Sequence, residues 1–271
     1  MRILTFLVFF FATYAIAGDA DKTGACEQFY ALLPNVSRSL CDEAQLKPTG
    51  ARSVQGRPLL MRDIQPLAPK LRVLVVGAMH GDELSSASVA LHWLKLAQVA
   101  PEFTQWRFIP VLNPDGLLRK PAQRMNANGV DLNRNFPTPN WHRETKTYWE
   151  KLTRKDPRRW PGNAPLSEPE SRFLFDQMAS FKPDVIVSIH APYGVLDFDG
   201  PVMPPTKLGR LYLDQIGVFP GSLGNFGGIQ NAMPVVTVEL PSALRTPTEA
   251  DMLKMWRDLR NWMDQTKLAS R

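Results

Sequence analysis

With 271 residues, 44% of them hydrophobic and 21% charged, the chain suits one large domain with a substantial core, or at most two small ones. Its formal charge of +6 suits an anionic partner such as a cell-wall polymer, although ordinary surface charge explains it equally well. No basic stripe with interleaved aromatics occurs, which argues against nucleic acid, and no segment after residue 17 is apolar enough for a stable membrane span.

In chain order, the first feature is a signal-peptide pattern over residues 1–17. Arg2 supplies a positive n-region, residues 3–16 an apolar h-region, and Ala15-Ile16-Ala17 a small-residue cleavage site. An uncleaved anchor is the alternative, but the stretch is short for a span. Cleavage near Ala17 would export the protein to the periplasm or beyond, and would lower the charge by Arg2, from +6 to +5. Cys26 and Cys41 are the two cysteines, and in an oxidising compartment they read as one disulfide closing an N-terminal loop. A lipid anchor at Cys26 is disfavoured, because Thr23-Gly24-Ala25 lacks an apolar lipobox residue. Residues 18–54 thus read as an N-terminal segment, and residues 55–271 as the main domain.

Four short runs rich in Val, Ile and Leu follow at 72–77, 108–112, 184–189 and 235–240. They lack polar alternation, as expected of strands covered on both faces. Residues 83–99 carry Leu84, Ala87, Leu91 and Leu94 at helical spacing. Residues 138–166 hold four prolines and seven basic residues, and read as a surface excursion with one short helix, either a solvated loop or a basic rim beside the active site. Ser167 and Glu170 make a capping-box pattern for a helix ending before Pro183. Thr246, Pro247 and Glu249 mark the last helix, with Pro247 at its first position and Met252, Trp256, Leu259 and Met263 along one stripe. Alternating strands and helices predict an α/β sandwich.

The chemistry-bearing residues cluster at the ends of the apolar runs. His80 and Glu83 follow the first, His190 ends the third, and Glu239 nearly ends the fourth. Ligands collect beyond the carboxyl ends of strands in open α/β sheets. Two His and one carboxylate, with a fourth position left to water, form a ligand set of catalytic zinc. Glu239 lies in Val235-Val236-Thr237-Val238, so burial of its carboxylate needs a reason; general base and then proton donor is one, and pairing with a buried arginine is another. Arg124 and Arg134 would bind substrate carbonyl and carboxylate oxygens, with surface salt bridging as the alternative. His92 and His142 carry no comparable signal.

The chain resembles the M14-type zinc carboxypeptidases, and within them the murein peptide amidase branch. The family resemblance rests on His80-Gly81-Asp82-Glu83, Asn113-Pro114-Asp115-Gly116, the run from Arg124 to Phe136, Ser188-Ile189-His190 and Thr237-Val238-Glu239-Leu240, in that order, and the amidase branch on residues 126–137, Ser167-Glu168-Pro169-Glu170, the loop 220–224 and Val238-Glu239-Leu240-Pro241. It implies a three-layer α/β/α sandwich with a mixed central sheet, and one zinc per chain on His80, Glu83 and His190. It also implies Glu239 as catalytic acid/base, Arg124 on the oxyanion, and Asn133 and Arg134 on a substrate carboxylate. The implied reaction is hydrolysis of the γ-D-glutamyl–meso-diaminopimelate bond of murein peptides. The family's usual substrate-contacting tyrosine has no counterpart in residues 217–228, which hold Phe219 and Phe226; Tyr193 and Tyr212 lie elsewhere in the sequence. A carboxypeptidase of ordinary peptides, a related zinc deacylase and a non-catalytic wall-binding protein are the competing expectations.

Overall fold

A computed structural model describes residues 15–266 and Leu268, with side chains from Gly24 onward. The signal-peptide pattern, apart from its last three residues, lies outside the described residues. Among the described residues nine strands are present: β1 (Lys47–Arg52), β2 (Pro58–Ile64), β3 (Leu71–Val76), β4 (Thr104–Ile109), β5 (Val185–His190), β6 (Leu196–Asp199), β7 (Lys207–Leu208), β8 (Leu211–Tyr212) and β9 (Val235–Glu239). Seven of them form one mixed sheet in the order β1-β2-β4-β3-β5-β9-β6, and β7 and β8 form a small hairpin. The central strands β4, β3, β5 and β9 run parallel, while β2 and β6 join them antiparallel. The three-layer α/β sandwich with a mixed sheet is therefore the fold observed.

Among the described residues seven α-helices accompany the sheet: α1 (Ala15–Leu32), α2 (Arg38–Ala44), α3 (Leu84–Val99), α4 (Pro114–Leu118), α5 (Trp141–Thr147), α6 (Pro169–Phe181) and α7 (Glu249–Gln265). One face of the sheet is covered by the apolar sides of α1, α2, α3 and α7, through Phe29, Leu40, Leu91, Trp93 and Trp256. The other meets α6 and a π-helical turn over Gly224–Gln230, through Leu174, Met178, Phe181 and Leu223. Strand alternation sorts β5 between them: Val185, Val187 and Ile189 enter the first layer and Ile186 the second. Among the described residues, no helix is long and apolar enough to cross a membrane.

The N-terminal segment is built into this body. Cys26 and Cys41 are bonded to each other, both buried in the first core layer, and β1 pairs with β2 at the sheet edge.

Four local expectations are corrected. The apolar run expected at 108–112 belongs to β4, which begins earlier, at Thr104, and ends at Ile109, because Pro110 has no N–H to continue the ladder. Ser167 and Glu170 do not form a capping box: α6 starts with Pro169 after Glu168, and the Glu170 carboxylate accepts from Val54 N–H and from Asn126 instead. The last helix begins two residues later than its signature. Thr248 is the cap, accepting from Asp251 N–H at 3.1 Å and donating to its carboxylate at 2.7 Å, so Pro247 lies outside the helix. The basic excursion holds α5, a π-helical turn at Tyr148–Leu152 and a 3-10 turn at Pro157–Arg159, more helix than expected.

Candidate active site

Alternation along the strands sends one column of polar side chains toward the carboxyl end of the sheet. In β5, Ser188 and His190 follow Ile186 on its face; in β9, Thr237 and Glu239 follow Val235. The two strands are in register, with His190 opposite Glu239. β3 ends at Val76, and the chain then turns through His80 to Glu83 before α3 begins. This turn is pressed against the next one: a Cβ on Gly81 would lie 2.2 Å from Gly116 C and 2.3 Å from Leu117 N. Only glycine lets His80 and Glu83 come this deep.

His80, Glu83 and His190 converge there, all buried, with one ligand-capable atom of each within 4.8 Å of the others. Nδ1 of His80 lies 2.8 Å from Glu83 Oε1, and Nδ1 of His190 lies 2.9 Å from Glu83 Oε2 and 3.1 Å from Nδ1 of His80. The second ring nitrogens are held from behind, His80 Nε2 by Asp131 Oδ1 at 3.1 Å and His190 Nε2 by Ser188 Oγ at 2.9 Å. With Nε2 as the protonated nitrogen of each ring, both Nδ1 lone pairs face the same point as the Glu83 carboxylate. Two imidazoles, one carboxylate and their outer supports fit a zinc ion. Burial opposes ionisation of Glu83, yet His80 and His190 together hold its carboxyl well below the usual range.

Glu239 is also buried; its Oε2 has no hydrogen-bond partner among the described residues, while the Tyr193 backbone N–H bonds the carboxylate. Burial raises its pKa against the opposing pull of His190, with Glu83 adding to the rise. An arginine partner, the alternative weighed from the sequence, is absent among the described residues.

Arg124 donates through Nε and Nη2 to Asp131 Oδ2 at 3.1 and 2.9 Å, and its Nη1 lies 3.1 Å from His80 Nδ1. Arg134 is buried between the rings of Phe219 and Tyr148, at 4.5 and 5.2 Å. Its Nη1 donates to Asn133 O at 2.6 Å, and its Nε has no partner among the described residues. Burial lowers the Arg134 pKa against the field of Asp131. Asn133 Oδ1 accepts from Leu223 N–H at 2.8 Å. The loop carrying these residues is braced from below: Asn126 Oδ1 accepts from the N–H groups of Asn128 and Val130, and its Nδ2 donates to Glu168 and Glu170.

All seven residues expected from the sequence, His80, Glu83, Arg124, Asn133, Arg134, His190 and Glu239, line a single cavity of about 300 Å³. From the basic excursion come Tyr148, Arg158 and Arg159, with Arg158 bonded to Asp82 at 2.8 Å. Tyr193 lines it too, although the sequence set it apart, whereas Tyr212 does not. His92 bonds to Asn35 O and His142 packs on Trp141, both away from the cavity.

Sequence reasoning missed Asp131, Asp197 and Asp199. Asp131 was visible as an acid between Val130 and Leu132, both buried. The aspartates were visible as the polar half of Leu196-Asp197-Phe198-Asp199.

A family model described as zinc carboxypeptidase matches residues 42–197. Murein peptide amidase A of Vibrio campbellii is 32% identical over 215 residues, covering 76% of this chain and 82% of that protein. Its namesake from Escherichia coli K12 is 34% identical over 148 residues, which span 54% of this chain and only 59% of the relative's length. Among solved structures, carboxypeptidase A from Helicoverpa armigera superposes with a TM-score of 0.66 at 19% identity, over 92% of this chain and 81% of that one. The match over more than half of the chain and the Vibrio relative establish that the chain belongs to the zinc carboxypeptidase family of metallopeptidases.

Proposed function

We propose that the protein is an exported amidase that hydrolyses the γ-D-glutamyl–meso-diaminopimelate bond of murein peptides, using one zinc ion. The observation that carries this reading is the meeting of a two-His, one-Glu group, a partnerless buried Glu239 oxygen and the Arg134 guanidinium in one cavity. The murein peptide amidases among its relatives support the substrate, and the Cys26–Cys41 bond supports an oxidising compartment.

His80, Glu83 and His190 would hold the ion. An ion held there would supply Lewis-acid polarisation of a substrate carbonyl and would acidify water. Glu239, whose burial raises its affinity for a proton against the pull of His190, takes a proton as the carboxylate from the attacking water and hands it to the departing amine. Arg124, fixed by Asp131, donates to the carbonyl oxygen as negative charge develops on it. Asn133 and Arg134 hold the carboxylate next to the scissile amide, which sets the register of cleavage. Oε2 of Glu239, without a hydrogen-bond partner among the described residues, is available for the proton.

Mass spectrometry of L-Ala-γ-D-Glu-meso-diaminopimelate after incubation with zinc-loaded mature protein tests the reading. Free diaminopimelate from the wild type, and none from Glu239→Gln, is the expected result. An intact tripeptide alongside trimming of α-linked L-peptides would replace it with an ordinary carboxypeptidase.

A further inference from the structure

Among the described residues, Arg124, Arg134, Arg158 and Arg159 are the arginines that line the cavity. Arg124 is gripped by Asp131, Arg134 lies between Tyr148 and Phe219, and both have a part in the reaction proposed above. Arg158 is neutralised by Asp82, at 2.8 Å. Arg159 is left over. It is half-buried in the cavity wall, and its side chain makes no hydrogen bond or ion pair among the described residues.

The turn that carries Arg159 is fixed at both ends. Asp156 caps the 3-10 turn Pro157–Arg159 by accepting from Arg158 N–H at 2.9 Å. Trp160 O, next in the chain, accepts from Asp131 N–H at 2.8 Å, and Pro161 O accepts from Asn135 Nδ2 at 2.8 Å. Arg158 ties the same turn to Asp82, which stands between His80 and Glu83 in the sequence. Arg159 is thus held on a backbone anchored to Asp82 and to Asp131, the carboxylate that orients His80 and Arg124. A fixed backbone leaves only the side chain to be ordered when an anion arrives.

In the reaction proposed above, Arg124 donates to the oxygen of the scissile carbonyl. The turn anchored on its partner Asp131 therefore borders the residue that owns this carbonyl. In a γ-glutamyl amide that residue keeps a free α-carboxylate, separated from the scissile carbon only by its own short chain. An ordinary α-linked residue spends its α-carboxyl on the bond itself. Murein peptides of this linkage thus carry a carboxylate on each side of the cleaved amide. Arg134 and Asn133 answer the one on the leaving side, and the other calls for a cation with no protein partner.

We propose that Arg159 binds the free α-carboxylate of a γ-linked acyl residue, and so makes the site prefer γ-glutamyl over α-linked peptides. The assignment rests on the amidase reading above and names the group by which the linkage is recognised.

The test measures kcat/KM for three tripeptides with wild type and Arg159→Gln. They are L-Ala-γ-D-Glu-meso-diaminopimelate, its isoglutamine analogue in which the α-carboxylate is amidated, and the analogue with L-lysine in place of diaminopimelate. Wild type should favour the carboxylate over the carboxamide by about five- to tenfold, mainly through KM. Arg159→Gln should bring that ratio to within about twofold of unity, and leave the diaminopimelate-to-lysine ratio within about twofold of the wild-type value. A wild type indifferent to amidation, or a preference that survives in Arg159→Gln, would overturn the assignment. So would a variant that shifts the diaminopimelate-to-lysine ratio instead, because Arg159 would then face the leaving residue. If no γ-glutamyl tripeptide is cleaved, the amidase reading fails separately. Calorimetric binding of the uncleaved tripeptide against its isoglutamine analogue to the zinc-loaded protein then decides. Tighter binding of the carboxylate form, lost in Arg159→Gln, upholds the site, and equal binding removes it.

Discussion

Asp131 sits 3.1 Å from His80 and holds it in place through Nε2, while its other oxygen takes two hydrogen bonds from Arg124. One carboxylate thus orients a candidate metal ligand and a candidate oxyanion donor together. Burial opposes ionisation of Asp131, but Arg124 and His80 hold its pKa well below the ordinary value. Replacing it by Asn removes the charge while keeping the shape. Outer-shell changes of this kind cost about 10–100-fold in metal affinity. Asp131→Asn should therefore weaken zinc binding by that factor in a competition titration with a chromophoric chelator. Unchanged affinity would mean that Asp131 serves Arg124 alone.

Glu239→Gln separates metal binding from proton transfer. Glu239 stands opposite His190 in the sheet register but is not part of the converging His80, Glu83 and His190 group. The variant should keep full zinc stoichiometry by elemental analysis and lose turnover by about 10²–10⁴-fold. Loss of zinc would instead make Glu239 a structural support of the centre.

Removing the metal should leave a folded but weaker protein. The three converging side chains are drawn from the turn after β3 and the end of β5, so an ion there would tie two central strands together. Ligand binding to the native state alone raises stability by mass action, about 2.7 kcal/mol at a hundredfold excess over Kd. Chelation should lower Tm and abolish hydrolysis, and zinc should restore both. A Tm indifferent to chelator would argue against metal binding at these residues.

Much of the central sheet and the meeting of the ionisable residues were legible in the sequence, because parallel strands buried on both faces read as continuous apolar runs. His80, Glu83, His190 and Glu239 stand at the ends of three such runs, and the register of β5 with β9 brings them together. The antiparallel flanks were harder to read. β1, β2 and β6 carry polar residues such as Thr49, Arg62, Asp63 and Asp197, and β6 has only four residues. The supporting carboxylates were illegible for another reason. Glu168 and Glu170 brace a loop some forty residues away, and no local pattern encodes a partner that distant. Local reading assigned Glu170 to a helix cap because that is what its spacing supports when tertiary partners are invisible.

The N-terminal staple carries a stability prediction of its own. Cys26 and Cys41 close a loop with a sequence separation of 15 and bury their sulfurs against the first core layer. In the chain-entropy model such a loop contributes about 3 kcal/mol. The double variant Cys26→Ala with Cys41→Ala should lose about 2–4 kcal/mol in urea unfolding, and added reductant should reproduce the loss in wild type but not in the variant. Equal midpoints would mean that packing of Phe29 and Leu40 already holds the segment without the bond.

Asp199 should destabilise the protein at neutral pH. Its carboxyl is pushed up to about 6 by burial and by Asp197, against an ordinary 3.8. The π-helical turn Gly224–Gln230 packed beneath it brings no charged group, and β9 opposes it with Val235, its nearest acid Glu239 lying four positions along the strand. Between these pH values the folded state binds more protons than the unfolded one, so stability falls as pH rises through the window. Well below the ordinary value of 3.8 both states are protonated and the penalty disappears. Asp199→Asn should accordingly raise stability at pH 7.5 by about 1–2 kcal/mol, solvent screening at the open cavity removing part of the field. The gain should shrink steadily below pH 6 and vanish only below the ordinary 3.8 in urea titrations. A pH-independent difference between the two proteins would remove charge burial as the cause. A residue that weakens the fold at working pH and still occupies a glycine-lined recess fits selection for binding rather than for stability.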